Sequence, residues 1–276
     1  MRILIMAGVT FREAARKRIL WMALVAGIAF LVLFAIALHF QLQELDRRHV
    51  SSLIRASAPN TMLMMGLYAI NLLVVVMSIL TAVDTLSGEI TSGTIQAVAT
   101  KPVCRWELLA GKWLGFAGML TLYIGMMVLG INALTYAISG VAVRHLLAGM
   151  GLIWLESLLL LSVTFFFGTM FSTLTNGVLA LGLHGLAFLG GWVEQAGALT
   201  QTPKAVDLGI IASVVMPSEA LWRRAAFEMQ SPLATAVNFT PFSGASVPSM
   251  LMIIYAAGYM AVVLALAARR LGTRDL

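Results

Sequence analysis

The sequence predicts an all-α polytopic membrane protein with six transmembrane helices. Composition is the first reason: 60% of the 276 residues are hydrophobic and only 11% are charged, against roughly 25% charged in soluble domains. Mean hydropathy is +0.94. Run length is the second. The apolar residues fall in stretches long enough to cross a hydrocarbon layer of about 30 Å, where only helices and closed barrels satisfy the backbone. These stretches do not alternate as barrel strands do. The third reason is an uneven placement of Lys and Arg around the stretches. An ordinary soluble enzyme, a disordered chain and a nucleic-acid-binding domain are excluded by this composition. The single cysteine, Cys104, excludes an intrachain disulfide framework.

Taken in order, residues 1–18 predict an amphipathic helix on the inner face, with Ile3, Met6, Ala7, Thr10, Phe11 and Ala14 near one stripe. Arg12, Arg16, Lys17 and Arg18 are placed to reach lipid phosphates. The first span, Ile19–Phe40, is too long for the apolar core of a signal peptide, about 7–15 residues, and is expected to be retained. A polar outer loop, Gln41 to Asn60, leads to the second span, Met62–Val83. An inner loop follows, and then the third span, Trp113–Ile138. A short outer link around Ser139-Gly140 and Arg144-His145 precedes the fourth, Leu146–Phe171. Ser172 to Asn176 form an inner turn before the fifth, Gly177–Trp192, which Gly182, Gly185, Gly190 and Gly191 weaken. The outer segment from Gln195 to Ser249 holds an apolar run, Gly209–Val215, too short to span. Pro217 then opens a helix with Leu221, Trp222, Ala225 and Met229 on one side. An interfacial or re-entrant helix is expected there, with Trp222 at headgroup depth. The sixth span is Met250–Ala268.

An even count of spans puts both termini on one side. Eleven of the 18 Lys and Arg residues fall on segments of that side and seven on the other, with a cluster just before the first span. Both termini are therefore expected in the cytoplasm.

Motifs for independent catalysis are missing. No G-x-x-x-x-G-K-[ST] occurs, since Gly111-Lys112 is followed by Trp113 and lacks the earlier glycine. There is no H-E-x-x-H, the four histidines are scattered, and no serine has the G-x-S-G setting of an intramembrane protease. The 17 methionines read as adaptable packing rather than metal ligands. Glu156 stands out within the fourth span, where an acid costs about 2.5–3.5 kcal/mol and must face protein or water. Either it lines a translocation path or takes a proton, or neighbouring polar groups satisfy it. Asn71 and His184 are weaker candidates for the same path, and each can equally serve as interhelical glue. Gly111-x-x-x-Gly115 allows close helix approach.

The inner loop from Asp84 to Lys112 is polar, broken by glycine and proline, and still carries apolar residues. Gly93 suits a helix end, and Pro102 can open the helix that feeds the third span. Such a loop reads as a docking surface. Glu89, Arg105 and Glu107 are its candidates for ionic contacts, and Ile95 and Val98 for apolar ones.

At these residues the sequence resembles the permease subunits of ABC transporters of the ABC-2 type. Thr10-Phe11-Arg12-Glu13 with Arg16-Lys17-Arg18 is similar to the family's N-terminal element. Glu89 with Gly93-Thr94, Lys101-Pro102-Val103 with Arg105, and Gly111-Lys112 is similar to its inner-loop pattern. Pro217-Ser218-Glu219-Ala220-Leu221-Trp222-Arg223 and Arg274-Asp275-Leu276 resemble the branch that includes permeases of multicopper-enzyme maturation systems.

The resemblance implies one permease domain over residues 1–276, with an elbow helix at 1–18, a cytoplasmic coupling loop at 84–108 and an extracytoplasmic segment at 195–249. It implies a multi-pass protein of the cell inner membrane that pairs with a second permease, commonly an identical copy, to form an exporter. Two ATP-binding subunits would attach at the coupling loop. This chain would then be no enzyme and bind no cofactor, with ATP and Mg held by the partner ATPase. The alternatives are a proton-coupled secondary transporter using Glu156, or a membrane scaffold for enzyme maturation that transports nothing.

Overall fold

Apolar length dominates the architecture. The computed structural model describes residues 2–16, 18–48, 51–88, 105–230 and 246–273. Among them it forms α1 (Arg2–Arg16), α2 (Arg18–Arg47), α3 (Ser52–Ala82), α4 (Arg105–Ser139), α5 (Leu146–Gly168), α6 (Thr173–Leu199), α7 (Pro203–Val215), α8 (Ser218–Met229) and α9 (Met250–Thr273). Six of these, α2 to α6 and α9, are long and apolar enough to cross a membrane, as the sequence predicts. Before the last span lies a bent pair, α7 and α8, meeting at 106°.

The helices outrun the apolar stretches that announce them. The expected loop from Gln41 to Asn60 is mostly helix: α2 continues to Arg47 and α3 starts at Ser52. Polar residues extend a helix once it leaves lipid; here Arg48 pairs with Glu44 at the end of α2, and Arg55 of α3 pairs with Asp46 of α2, each at 2.5 Å. The expected turn 172–176 likewise shortens, because α6 already begins at Thr173. The fifth span is not broken by its glycines and runs on to Leu199.

α5 is the central helix. It is apolar all round, and the whole stretch from Glu156 to Phe165 is buried. Its hydroxyls bond back to their own helix, Ser162 to the Leu158 carbonyl at 2.7 Å and Thr164 to that of Leu160 at 2.8 Å. Two indoles tie α4 and α5 together: Trp113 Nε1 donates to Ser162 Oγ at 2.9 Å, and Trp154 Nε1 to Thr121 Oγ1 at 2.8 Å. Such bonds between membrane helices contribute about 0.6 kcal/mol each. α3, α4 and α5 form the enclosed core, whereas α2, α6 and α9 turn most of their apolar residues outward. α9 buries only the stripe Ala256, Val263, Ala267 and Leu271.

The apolar stripe of α1 does not simply face lipid. It packs against α4 through the Gly111-x-x-x-Gly115 pair. A Cβ at Gly115 would lie 2.8 Å from the Ala7 carbonyl oxygen and 2.8 Å from Thr10 Cβ. Thr10 and Ala14 are buried in that seam, while Leu4, Ile5 and Val9 are exposed. Gly115→Leu should therefore displace α1, at about 1–3 kcal/mol for overpacking. Limited proteolysis in detergent checks this, with cleavage near residues 16–18 becoming faster.

One face of the molecule gathers α1, the end of α3, the starts of α4 and α6, and the end of α9. We call it the terminal face. The other, the hairpin face, carries the link between α4 and α5 and the far end of α8, which meet where His145 Nδ1 lies 3.1 Å from Glu228 Oε2. There His145 and the Arg224 guanidinium hold the Glu228 carboxyl below the usual carboxylate range.

Candidate functional site

On the terminal face, two joints flank residues 89–104. At the first, α6 grips the end of α3: Asn176 Nδ2 donates to the Val83 carbonyl at 3.1 Å and Thr173 Oγ1 to Asp84 Oδ1 at 3.0 Å. Ser87 Oγ and Thr173 Oγ1 share a further bond at 3.0 Å. At the second, Arg105 Nη1 donates to the carbonyls of Leu271 at 3.1 Å and Gly272 at 3.2 Å. A cation is favourable on those last carbonyls, where the helix dipole is negative. Arg105, expected as an ionic contact for a partner, thus also fastens the start of α4 to the end of α9. Glu107 lies in the first turn of α4, the favourable end for an acid.

Phe11 is half-buried and reaches to 3.7 Å from where a Cβ of Gly118 would stand. Arg12, Glu13, Arg16 and Arg18 are exposed on or just after α1. Lys17 and the loop candidates Glu89, Gly93, Thr94, Ile95, Val98 and Pro102 lie outside the described residues.

The second constellation is interior. Asn71, Glu156 and His184, predicted separately on three spans, converge around the first turn of α8. Asn71 Nδ2 donates to Glu156 Oε1 at 3.4 Å, and His184 Nδ1 lies 2.9 Å from Ser218 Oγ. Glu156 is 0% exposed. Glu219, next to Ser218, is buried as well. It fits against α6 only because Gly191 has no side chain: a Cβ there would be 2.7 Å from Glu219 Cγ. Aromatic rings close the cluster, with Tyr68 edge-on to Trp222 at 5.4 Å. All three path candidates are therefore enclosed within this chain.

α8 is also where the structure departs most from expectation. Leu221, Trp222, Ala225 and Met229 do share one side, but Ser218, Glu219 and Arg223 are buried as well. Trp222 is 3% exposed and packs on protein, against Tyr68, rather than being open to headgroups. Arg223 Nη2 donates to Glu194 Oε2 of α6 at 2.8 Å and to Ser213 Oγ of α7 at 3.3 Å. Ser246 Oγ donates to the other Glu194 oxygen at 2.5 Å. Sequence reading passed over this pair. The available signal was a basic residue beside Leu221 and Trp222, on a helix whose apolar side needs cover.

Beside this cluster, an apolar groove of about 550 Å³ opens between α5, α6 and α9, lined by residues including Phe166, Phe167, Leu183, Tyr259 and Val263. Its walls suit hydrocarbon and offer almost nothing to a charged group.

These features, six spans with an N-terminal helix seated on the third and a two-jointed loop root, coincide with a comparison against known families. The family model described as ABC-2 family transporter protein matches residues 4–276. The chain belongs to the ABC-2 transporter family. It is a multi-pass membrane permease component of an ABC transporter, a family whose members associate with an ATP-binding subunit. A search of curated proteins found no match.

Proposed function

We propose that this permease is the membrane half of an ATP-driven exporter of the cell inner membrane. It works as a homodimer, with both termini cytoplasmic and ATP and Mg held by separate subunits on its terminal face. The observation that carries this reading is the family match over residues 4–276 in a sequence with no phosphate-binding loop of its own. The whole of 1–276 then acts as one permease domain, with the elbow helix at 1–18, the coupling loop at 84–108 and the extracytoplasmic segment at 195–249. The excess of Lys and Arg on the terminal side supports its cytoplasmic placement. Outward-turned apolar residues on α2, α6 and α9 support a lateral partner within the bilayer.

The two joints describe how such a machine transmits force. A push on residues 84–108 acts on α6 through Asn176 and Thr173, and on α9 through Arg105. Swinging a two-state equilibrium from 1:99 to 99:1 takes about 5.5 kcal/mol of differential interaction, so the loop must dock firmly. Glu89, Glu107 and Arg105 supply polar contacts in this reading, Ile95 and Val98 apolar ones, and Gly93, Thr94 and Pro102 set the backbone.

Spin labels at Arg144→Cys in a Cys104→Ser background test this without knowledge of the substrate. The complex with its ATPase should show an ATP-dependent change in the distance between the two copies. Glu89→Lys or Gly93→Val should abolish that change while ATP hydrolysis and membrane insertion persist. An unaltered distance change in both variants would remove the coupling role. A chain that purifies alone and carries flux under a pH gradient would replace the whole reading with proton-coupled transport.

A further inference from the structure

The bond between Asn71 and Glu156 is half of a larger arrangement. Asn71 Nδ2 donates to Glu156 Oε1 at 3.4 Å. The other oxygen of each group, Asn71 Oδ1 and Glu156 Oε2, is buried and has no hydrogen-bond partner among the described residues. Both are acceptors while Glu156 is ionised, so neither can satisfy the other. Unpaired buried acceptors are rare, and a buried charge without a partner is costlier still. Among the described residues no cation bonds Glu156: Arg223, the buried arginine of the adjoining α8, gives its Nη2 to Glu194 and Ser213, and its remaining buried nitrogens reach no carboxylate. From the elements packed on α5, the titratable groups on this side of the bundle are Tyr68 of α3, His184 of α6 and Glu219 of α8. Glu219 brings no positive charge, and His184 is turned to Ser218.

One proton resolves all of this. On Glu156 Oε2 it removes the charge and converts an orphan acceptor into a donor for Asn71 Oδ1. A carboxylic acid and a primary amide are complementary in this way, N–H to carbonyl on one side and O–H to carbonyl on the other. Reversing the amide does not remove the need, because Asn71 Oδ1 would then face a carboxylate oxygen, again requiring a hydrogen between them. We infer that the Asn71–Glu156 contact is a proton-binding site: Glu156 is held as the neutral acid, paired through both of its oxygens to the Asn71 amide, and this clamp joins α3 to α5 in the bundle interior. The proton is neither cargo nor fuel here. It is a structural ligand, and its loss would free the second span from the fourth.

Infrared difference spectroscopy on the full chain in detergent at neutral pH tests the site directly. Wild-type protein should show the carbonyl stretch of a protonated carboxylic acid. Buried Glu219 can add a second such band, so the component of Glu156 is the one lost in Glu156→Gln and retained in Glu219→Gln, and it should move to higher wavenumber in Asn71→Leu, where the hydrogen bond to the acid is gone. Loss of carboxylate bands instead, on Glu156→Gln, would overturn the proposal in favour of an ionised Glu156 bridged by water. Glu156→Gln should also fold, since glutamine offers the same donor and acceptor to Asn71. Failure of that variant to assemble, with Glu156→Asp assembling, would equally overturn it.

Discussion

Arg223→Leu should destabilise the permease by about 3–5 kcal/mol, the usual cost of leaving one member of a buried ion pair behind. The side chains of Arg223 and Glu194 are 4% and 6% exposed, so solvent screens neither. Removing the guanidinium strands a carboxylate whose other partner is the Ser246 hydroxyl. It also releases Ser213, so three helices, α6, α7 and α8, lose their common tie. The double variant Arg223→Leu/Glu194→Leu should recover most of the loss, because an apolar pair needs no compensation and a buried ion pair is often replaceable at little cost. Thermal unfolding of the single and double variants in one detergent measures both. A double variant as unstable as the single would mean that the packing of the arginine stem, rather than the stranded charge, sets the cost.

Gly209→Leu comes next, with about 3 kcal/mol expected, at the upper end of overpacking penalties. Here α7 folds back on α6 so closely that the backbones touch. A Cβ at Gly209 would stand 2.6 Å from the Gly190 carbonyl oxygen and 2.9 Å from Glu194 Cα. Gly190 in turn faces Ala212. Backbone atoms cannot rotate away as a side chain can, so the helices must part. Since Glu194 sits in the same contact, parting them also pulls on its bond to Arg223. Gly182→Leu, on the same helix but with open space around it, is the control and should be nearly silent. Equal losses at the two positions would show that helix propensity rather than close approach governs this hairpin.

The glycines of the fifth span show what a sequence can and cannot display. All four weaken a helix in isolation, by about 1 kcal/mol each relative to alanine. Only contacts distinguish them: Gly182 and Gly185 face open space, whereas Gly190 and Gly191 admit α7 and Glu219. The spacing of Gly111 and Gly115 marks a close-approach motif, but nothing in it names α1, expected as an amphipathic helix on the inner face, as the helix they admit. Amphipathic periodicity reports that a face is apolar, and a neighbouring helix and a bilayer are equally apolar.

The interior cluster was legible in the same partial way. Asn71, Glu156 and His184 each announce themselves as polar residues at membrane depth. Nothing in their spacing says that the first two bond across 85 positions or that the third reaches Ser218. Glu219 and Arg223 were hidden because α8 reads as an ordinary amphipathic helix, and its polar side is buried only once α6 and α7 close over it. The joints at Asn176 and Arg105 were hidden for a related reason, since backbone carbonyls are acceptors that every residue has.

What the sequence determined by itself was the class and count: an all-helical fold with six helices long and apolar enough to cross a bilayer. These follow from how much apolar length a bilayer demands, a property of each segment alone. Only the tertiary structure decided that α5 is central, that α8 is drawn inside, and which buried polar atoms meet. Those outcomes depend on the mutual fit of segments far apart in the chain, and they turn on where a missing side chain lets two backbones come together.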